Sequence, residues 1–266
     1  MHLHIRHATT YDYDTPVTYA LQQLRLTPKS TAVQKVIRWT TTVTGGQKQL
    51  SFEDAHRNTV DLISFDAGTR SITVTCEGEV ELRDYNGITG QHGGFMPLWM
   101  FDRTTALTKP GPATRRLLQS LEPGLNPVAK LHALSTVVAE AVSYSPGASQ
   151  VGWTAEQALS AGKGVCQDHA HVFITCARAA GYPSRYVSGY LLMDDETTGE
   201  ATHAWAEAYV PDLGWIGFDI SNGICPDSRY VRVATGLDYA GAAPVSGMRL
   251  GSGGERLTVD VQVQQQ

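Results

Sequence analysis

The chain has 266 residues, 42% of them hydrophobic and 18% charged, with a formal net charge of −5; this is a globular profile with chain enough for one large domain or two ordinary ones. That balance excludes the basic character of a nucleic-acid binder, and no apolar run approaches the ~20 residues of a membrane span. The N-terminus, Met1-His2-Leu3-His4-Ile5-Arg6-His7, lacks the apolar segment of a secretory signal, so a cytoplasmic address is expected. Cys76, Cys166, Cys176 and Cys225 are even in number, but a disulfide framework is not expected in a large chain without such a signal.

Up to about Phe101 the pattern is β. Ile72, Val74, Cys76, Gly78, Val80 and Leu82 alternate with Thr73, Thr75, Glu77, Glu79 and Glu81, as in a strand with one polar face. Leu24-Arg25-Leu26, Val36 to Trp39 and Val60 to Ile63 read similarly, and Gly45-Gly46, Arg57-Asn58 and Asp66-Ala67-Gly68 supply turns. An antiparallel, sandwich-like domain over residues 1–105 is expected. His2, His4, His7, His56 and His92 stand there without a nucleophile beside them and are read as surface or strand residues.

Asp102 to Pro112, with Lys109-Pro110-Gly111-Pro112, stops regular structure and marks the boundary to a second unit over 106–266, its C-terminal strand included. Pro127 to Val142 carries Leu131, Leu134, Val138, Ala141 and Val142 on one helical stripe, and Thr154-Ala155-Glu156-Gln157 has the form of a capping box for a short helix from Ala155 to Leu159. Next, Gly162 and Gly164 interrupt the chain, Val165, Phe173, Cys176, Ala177 and Ala180 recur at helical spacing, and Gly181 with Pro183 closes the element. Cys166 and Cys176 on that helix would lie about 15 Å apart, beyond disulfide reach.

Arg185 to Met193 reads as a strand, Asp194 to Thr198 as the turn leaving it, and Thr202 to Val210 as a strand with His203, Trp205, Glu207 and Tyr209 on one face. Trp215 to Asp219 is the return strand, Arg229 to Gly254 irregular chain, and Leu257 to Val263 a final strand.

Cys166 stands in the first helical turn, where free N–H groups and the helix dipole favour a thiolate. The dipole is worth at most about 2 kcal/mol, too little alone to make a thiol reactive at neutral pH, so a basic partner is required. With a five-residue connection from Val210 to Gly214, Trp205 lies opposite Asp219 and His203 is its diagonal neighbour on the same face. Cys166, His203 and Asp219 would then form a nucleophile, a base and an orienting acid for acyl transfer.

Gly164-Val165-Cys166-Gln167-Asp168-His169-Ala170-His171, Arg185 to Tyr190, His203 to Glu207 and Gly214 to Asp219, in that order and at those gaps, resemble the bacterial transglutaminase-like superfamily. Tyr11-Asp12-Tyr13 with Pro16-Val17, and Leu24 to Pro28, resemble the β domain that precedes this core, so the likeness covers nearly the whole chain. The resemblance implies an α+β fold: a papain-like core in which a nucleophile-bearing helix packs on an antiparallel sheet. It implies Cys166 as nucleophile, His203 as base and Asp219 as its orienter. Two departures stand out. Ile220-Ser221-Asn222 replaces the usual Pro-Thr-Asn, which would loosen the loop carrying Asp219, and Leu237-Asp238-Tyr239 replaces Arg-Asp-Tyr, which removes a positive charge.

Gln167, Asp168, Trp205 and Tyr239 are candidate cleft residues; Asp168 may be read equally as a complement to the helix N-terminus, and Trp205 and Trp215 compete with plain core burial. A metal site from Cys166, His169, His171 and His203 is disfavoured, because His169 and His171 diverge by about 140° around the helix. The remaining cysteines are read as structural. The expected activity is that of a cofactor-independent, transglutaminase-like cysteine peptidase or amidase that acts on a peptide or protein amide through a thioester. A protein-glutamine γ-glutamyltransferase and a non-catalytic peptide-binding scaffold are the alternatives.

Overall fold

The computed structural model describes residues 1–150, 152–193, 202–250 and 253–266, so the turn expected over Asp194 to Thr198 falls outside the described residues. In chain order the strands of the first part are β1 (His2–Tyr13), β2 (Tyr19–Thr27), β3 (Gln34–Thr44), β4 (Gly46–Glu53), β5 (Thr59–Phe65), β6 (Ser71–Leu82) and β7 (Ile88–Gly90). A short 3-10 turn, Leu98–Asp102, leads to α1 (Pro112–Gln119), α2 (Pro127–Ala141), β8 (Ser143–Tyr144), α3 (Ala155–Ala161), β9 (Lys163–Gly164) and α4 (Cys166–Ala179). The chain continues through β10 (Ser184–Leu191), β11 (Thr202–Val210), β12 (Gly214–Phe218), β13 (Tyr230–Gly236), α5 (Tyr239–Ala242), β14 (Val245–Leu250) and β15 (Glu255–Gln265).

Two four-stranded antiparallel sheets, ordered β15-β1-β6-β3 and β14-β2-β5-β4, form the sandwich. The period-two pattern of β6 buries Ile72, Val74, Cys76 and Val80, and Ile72, Val74 and Cys76 meet Leu24, Leu26 and Ile63 from the other sheet. The third sheet, β13-β10-β11-β12-β7, is the floor on which α4 rests. Strand β11 alternates large residues with alanines, and Ala204, Ala206 and Ala208 share one apolar cluster with Ala170, Phe173 and Ala177 of α4. Small side chains on that face let the helix approach closely, which fixes the height of its N-terminus above the strand. No helix of the described residues is long and apolar enough to cross a membrane.

The two parts interlock in a way the expected boundary at residue 105 does not allow. The C-terminal strand, assigned above to the second unit, runs along β1 from Leu3 opposite Gln265 to Tyr13 opposite Glu255, and β14 extends the other sandwich sheet beside β2. Conversely β7, expected within the first domain, forms the outer edge of the core sheet against β12. Sequence proximity misled here because β1 and β2 each present an open edge that only distant strands fill.

The stretch Arg229 to Gly254 is likewise not irregular. It holds β13, α5 and β14, and the run Tyr230-Val231-Arg232-Val233-Ala234-Thr235 is β-branched enough to have been read as a strand. Strand β13 is an edge, and the sandwich caps it with side-chain amides. Gln34 donates to the Arg232 carbonyl at 2.8 Å and accepts from its N–H at 2.8 Å, and Asn58 does the same with Thr235 at 2.7 and 2.9 Å. Of the histidines read as surface or strand residues, His7 lies on β1 and His56 in the connection before β5, and neither is freely exposed. His7 is buried, bonded to the Tyr190 hydroxyl at 2.9 Å across the junction, and burial lowers its pKa to about 4. His56 is half-buried, and burial lowers its pKa to about 4.

Candidate active site

Helix α4 starts at Cys166 because the chain before it cannot continue a helix: β9 ends at Gly164 and Val165 is extended, with φ −116° and ψ −177°. Asp168, in the first turn, turns back to accept the Val165 N–H at 2.8 Å. A Cβ on Gly164 would meet the Asp168 side chain at 2.7 Å, so glycine is required there for the start of the helix to close. At the other end Gly181, at φ +87°, takes the left-handed conformation that terminates the helix. Cys166 is half-buried at the mouth; in the first helical turn the Asp168 N–H is taken by the Val165 carbonyl at 2.9 Å, which leaves those of Cys166 and Gln167 without an acceptor within the helix.

Strand register delivers the partners. Val210 pairs with Gly214 and Ala206 with Phe218, so the same register continued puts Trp205 opposite Asp219 and His203 on the diagonal. His203 Nε2–H donates to Asp219 Oδ2 at 2.7 Å, and the ring also hydrogen-bonds the Cys166 thiol. Burial by itself would lower the imidazole pKa. The hydrogen bonds to Asp219 and Cys166 outweigh it and raise the value to about 10, so the ring is an imidazolium at neutral pH.

Asp219 is fully buried yet well satisfied. Oδ2 accepts from His203, from Asn222 Nδ2 at 2.7 Å and from the Tyr230 hydroxyl at 2.7 Å, while Oδ1 accepts the N–H groups of Ser221 at 3.1 Å and Asn222 at 3.3 Å. Burial would raise the carboxyl, but these donors, His203 first, hold it below the usual range. The loosening expected from Ile220-Ser221-Asn222 does not occur. Ile220 is 2% exposed within the main core, and the Ser221 hydroxyl meets His169 Nδ1 at 2.8 Å, tying the loop to the nucleophile helix. His169 Nε2–H in turn donates to the Val142 carbonyl at 2.7 Å, and burial keeps this ring below its ordinary pKa.

A cavity of about 290 Å³ opens above the thiol, lined by Cys166, Gln167, His203 and Tyr239 from the core. Tyr11, Leu257 and Val259 of the sandwich form its opposite wall. Of the four cleft candidates, Gln167 and Tyr239 line this space and two do not. Asp168 is 2% exposed and occupied with the helix start, and Trp205 is 2% exposed, packed with Val187, Leu191 and Tyr230 beneath the His203 ring at 6.3 Å between centroids. Both faces of β11 are covered, the alanine face by α4 and the other by its own cluster, so Trp205 is buried on the face turned away from the helix.

Tyr230 was not singled out from the sequence; Ser221 and Asn222 entered only as a departure from the family pattern and His169 only as a disfavoured metal ligand, none of them as a partner of Asp219 or its loop. Asn222, three residues after Asp219, carries the local signal of an Asx-type turn; Tyr230 lies on a strand not read as one, and its partner is distant. His171, which shares the motif, points elsewhere: Nε2 accepts the Tyr239 N–H at 3.1 Å and burial lowers its pKa to about 4. Among the described residues no group of three His, Cys, Asp or Glu side chains is arranged to hold a metal ion. Burial pushes Cys76 up to about 11 and Cys176 up to about 12, and raises Cys225 as well.

Comparison with known proteins shows what the chain is similar to. Residues 115–220 match the family described as the transglutaminase-like superfamily, and residues 3–81 match the bacterial transglutaminase-like N-terminal region. An uncharacterized protein of Mycobacterium leprae is 29% identical over 275 residues, covering 98% of both chains. A protein-glutamine gamma-glutamyltransferase of Pseudomonas aeruginosa is 30% identical over 101 residues, 32% of this chain and 14% of that one. The crystal structure of a candidate cysteine protease from Cytophaga hutchinsonii superposes with a TM-score of 0.80 at 20% identity, over 100% of this chain and 91% of that one.

Proposed function

This chain belongs to the transglutaminase-like superfamily and carries its bacterial N-terminal region, and on that footing we propose that it is a thiol-dependent amide-bond hydrolase acting on a peptide or protein. The observation that carries this reading is the His203 ring held between a carboxylate at 2.7 Å and the Cys166 thiol. A buried histidine raised to about 10 by those two partners is matched to an ion-paired nucleophile.

In the proposed reaction Cys166 Sγ attacks the amide carbonyl carbon, and the first-turn N–H groups of α4 stabilise the oxyanion. His203 gives its proton to the leaving amine as the C–N bond breaks, which leaves a thioester on Cys166. Water then attacks the thioester; neutral His203 takes one of its protons, the C–S bond breaks, and the acid leaves with the Cys166 thiolate restored beside the His203 imidazolium. Asp219 stays ionised throughout, fixing the ring and stabilising its cation. All four cysteines are unpaired, which supports a reducing, cytoplasmic setting.

A second reading is favoured by the Pseudomonas relative, a protein-glutamine gamma-glutamyltransferase. There an amine takes the place of water. Such an enzyme must keep water at ~55 M from the thioester until a dilute amine arrives, and the mouth here, with Cys166 half-exposed, supports hydrolysis as the resting activity. Purified protein given a glutamine- or peptide-amide substrate, with and without a labelled primary amine, decides between them. Free acid is expected to dominate at low amine; conjugate in excess of acid would make transfer the principal activity, and no thioester in either case would remove the thiol mechanism.

A further inference from the structure

The face of the core sheet turned away from α4 closes over a second cavity, of about 300 Å³, at the junction with the sandwich. Lys29, His56 and Arg57 line it from sandwich loops, and Arg185, Trp215 and Arg232 from the sheet. Its charges do not balance. Lys29, Arg57, Arg185 and Arg232 stand against Glu53 and, behind the wall, Glu207, while the neighbouring Asp54 is engaged by Arg25 at 3.4 Å. Two positive charges are left over: Arg57 stands at the open mouth, paired with Glu53 at 3.6 Å, while Arg185 and Arg232 lie in the wall with side chains 12% exposed, where unpaired charge is costly to hold away from water.

The donors are not used up either. Arg185 reaches Glu207 Oε2 through Nε at 2.5 Å, and its two terminal nitrogens have no hydrogen-bond partner among the described residues. The guanidinium lies over the Trp215 ring at 3.8 Å, which braces it beside the cavity. Arg232 meets Glu207 through Nε at 2.9 Å and one terminal nitrogen at 3.2 Å, leaving the other without a partner among the described residues. Lys29 donates to the His56 carbonyl at 2.9 Å and to Asn58 Oδ1 at 3.4 Å, and His56 Nδ1 is buried with no partner. Burial, then Arg232 and Arg185, push the Lys29 ammonium down to about 7, with Asp54 opposing them only in part.

We propose that this cavity is a binding site for a small phosphate-bearing anion, held by Arg185, Arg232, Lys29 and Arg57 on the face of the sheet opposite the nucleophile. A phosphate dianion matches the surplus of two charges, and its several oxygens suit donors that converge from three directions; a carboxylate would neutralise half. The volume fits a compact phosphomonoester. A nucleic acid fits poorly, because the chain is acidic outside this cavity, with a net charge of −5.

The test titrates the full chain with inorganic phosphate and, separately, with glycerol phosphate, by calorimetry and Trp fluorescence, at ionic strength held constant with chloride. Saturable one-to-one binding is expected. Tighter binding of glycerol phosphate identifies an organic phosphate as the ligand; equal binding identifies the free ion. Arg57→Asn keeps a residue that tolerates the positive φ of 61° at this position, and Lys29→Met keeps the apolar stem; each should weaken binding about tenfold. Should Lys29→Met fail to fold, Arg57→Asn with unchanged circular dichroism decides alone. No saturable binding up to about 10 mM, an affinity too weak to use four cations, or equal affinity in wild type and Arg57→Asn, overturns the proposal.

Discussion

Strand β11 carries two buried charge clusters four residues apart, about 13 Å along the strand, and they are built on opposite logic. At Glu207 the carboxylate is 0% exposed and fully engaged by Arg185 at 2.5 Å and Arg232 at 2.9 Å, and although burial alone would raise it, the two guanidinium groups hold it down at about 2. At His203 the carboxylate is equally buried, but the cation it faces is a titratable ring whose other contact is the Cys166 thiol at an open cavity. The first cluster locks strands β10, β11 and β13 together and has no exchangeable proton near neutral pH. The second stores a proton where a substrate can reach it. Burial is common to both, so burial does not mark the reactive one; a partner able to give up its proton does.

Substitution of the two carboxylates should separate these roles. Asp219→Asn is expected to lower turnover by about four orders of magnitude, because an amide can no longer fix the ring or stabilise its cation, while circular dichroism still shows a folded chain. Single-turnover rates with a peptide amide measure it; an active variant would mean that another group orients His203. Glu207→Gln should do the reverse. It leaves two buried guanidinium groups without their counter-charge, which costs roughly 3–5 kcal/mol of stability, while activity per folded molecule is retained. Urea denaturation reads the first, and active-site titration by a thiol reagent the second.

These two positions also show what could be read from sequence and what could not. The helix start at Cys166 was legible, because its signals are local: Gly164, the capping Asp168 and the spacing of Phe173 and Cys176 all lie within about three helical turns. So was the register that brings His203 to Asp219, since it follows from the length of one connection. The surroundings of Asp219 were not. Its donor Tyr230 sits on β13, a strand whose identity depends on pairing with β10 and on caps from Gln34 and Asn58 far earlier in the chain. The pairing of strands across the expected boundary was hidden for the same reason, since β15 closes the sheet that β1 opened.

The pH dependence sharpens the contrast without any substitution. His203 is raised from the ordinary 6.5 to about 10 in the folded protein, so the stability it contributes is fully present below pH 6.5 and is lost as pH climbs through about 10. Asp219 is held below its ordinary 3.8, so its contribution is present above that value and is lost in acid. The melting temperature should therefore fall between pH 7 and 10, and turnover should decline on its alkaline side near pH 10 as the imidazolium loses its proton. In Asp219→Asn the alkaline fall in melting temperature should flatten. An unchanged slope would place the shift on some other group.

The smallest effect is expected at Tyr230. Its hydroxyl donates to the same Asp219 oxygen that accepts from His203, at 2.7 Å in both cases, and Asn222 donates there too. Removing one donor of three leaves the carboxylate more basic, so it grips the imidazolium harder, while it also loses one of the bonds that fix its position. The first change favours the ion pair and the second blurs its geometry. A hydrogen bond to a charged acceptor is worth about 1.5–3 kcal/mol, and compensation by Asn222 should leave the lower end of that range. Tyr230→Phe is therefore expected to reduce turnover about tenfold with KM unchanged, and to move the alkaline limb of the pH profile upward. The upward movement discriminates, because a loss of packing alone would lower stability and turnover without shifting that limb. If the limb stays where it is in wild type, Tyr230 supports the strand and does not tune Asp219.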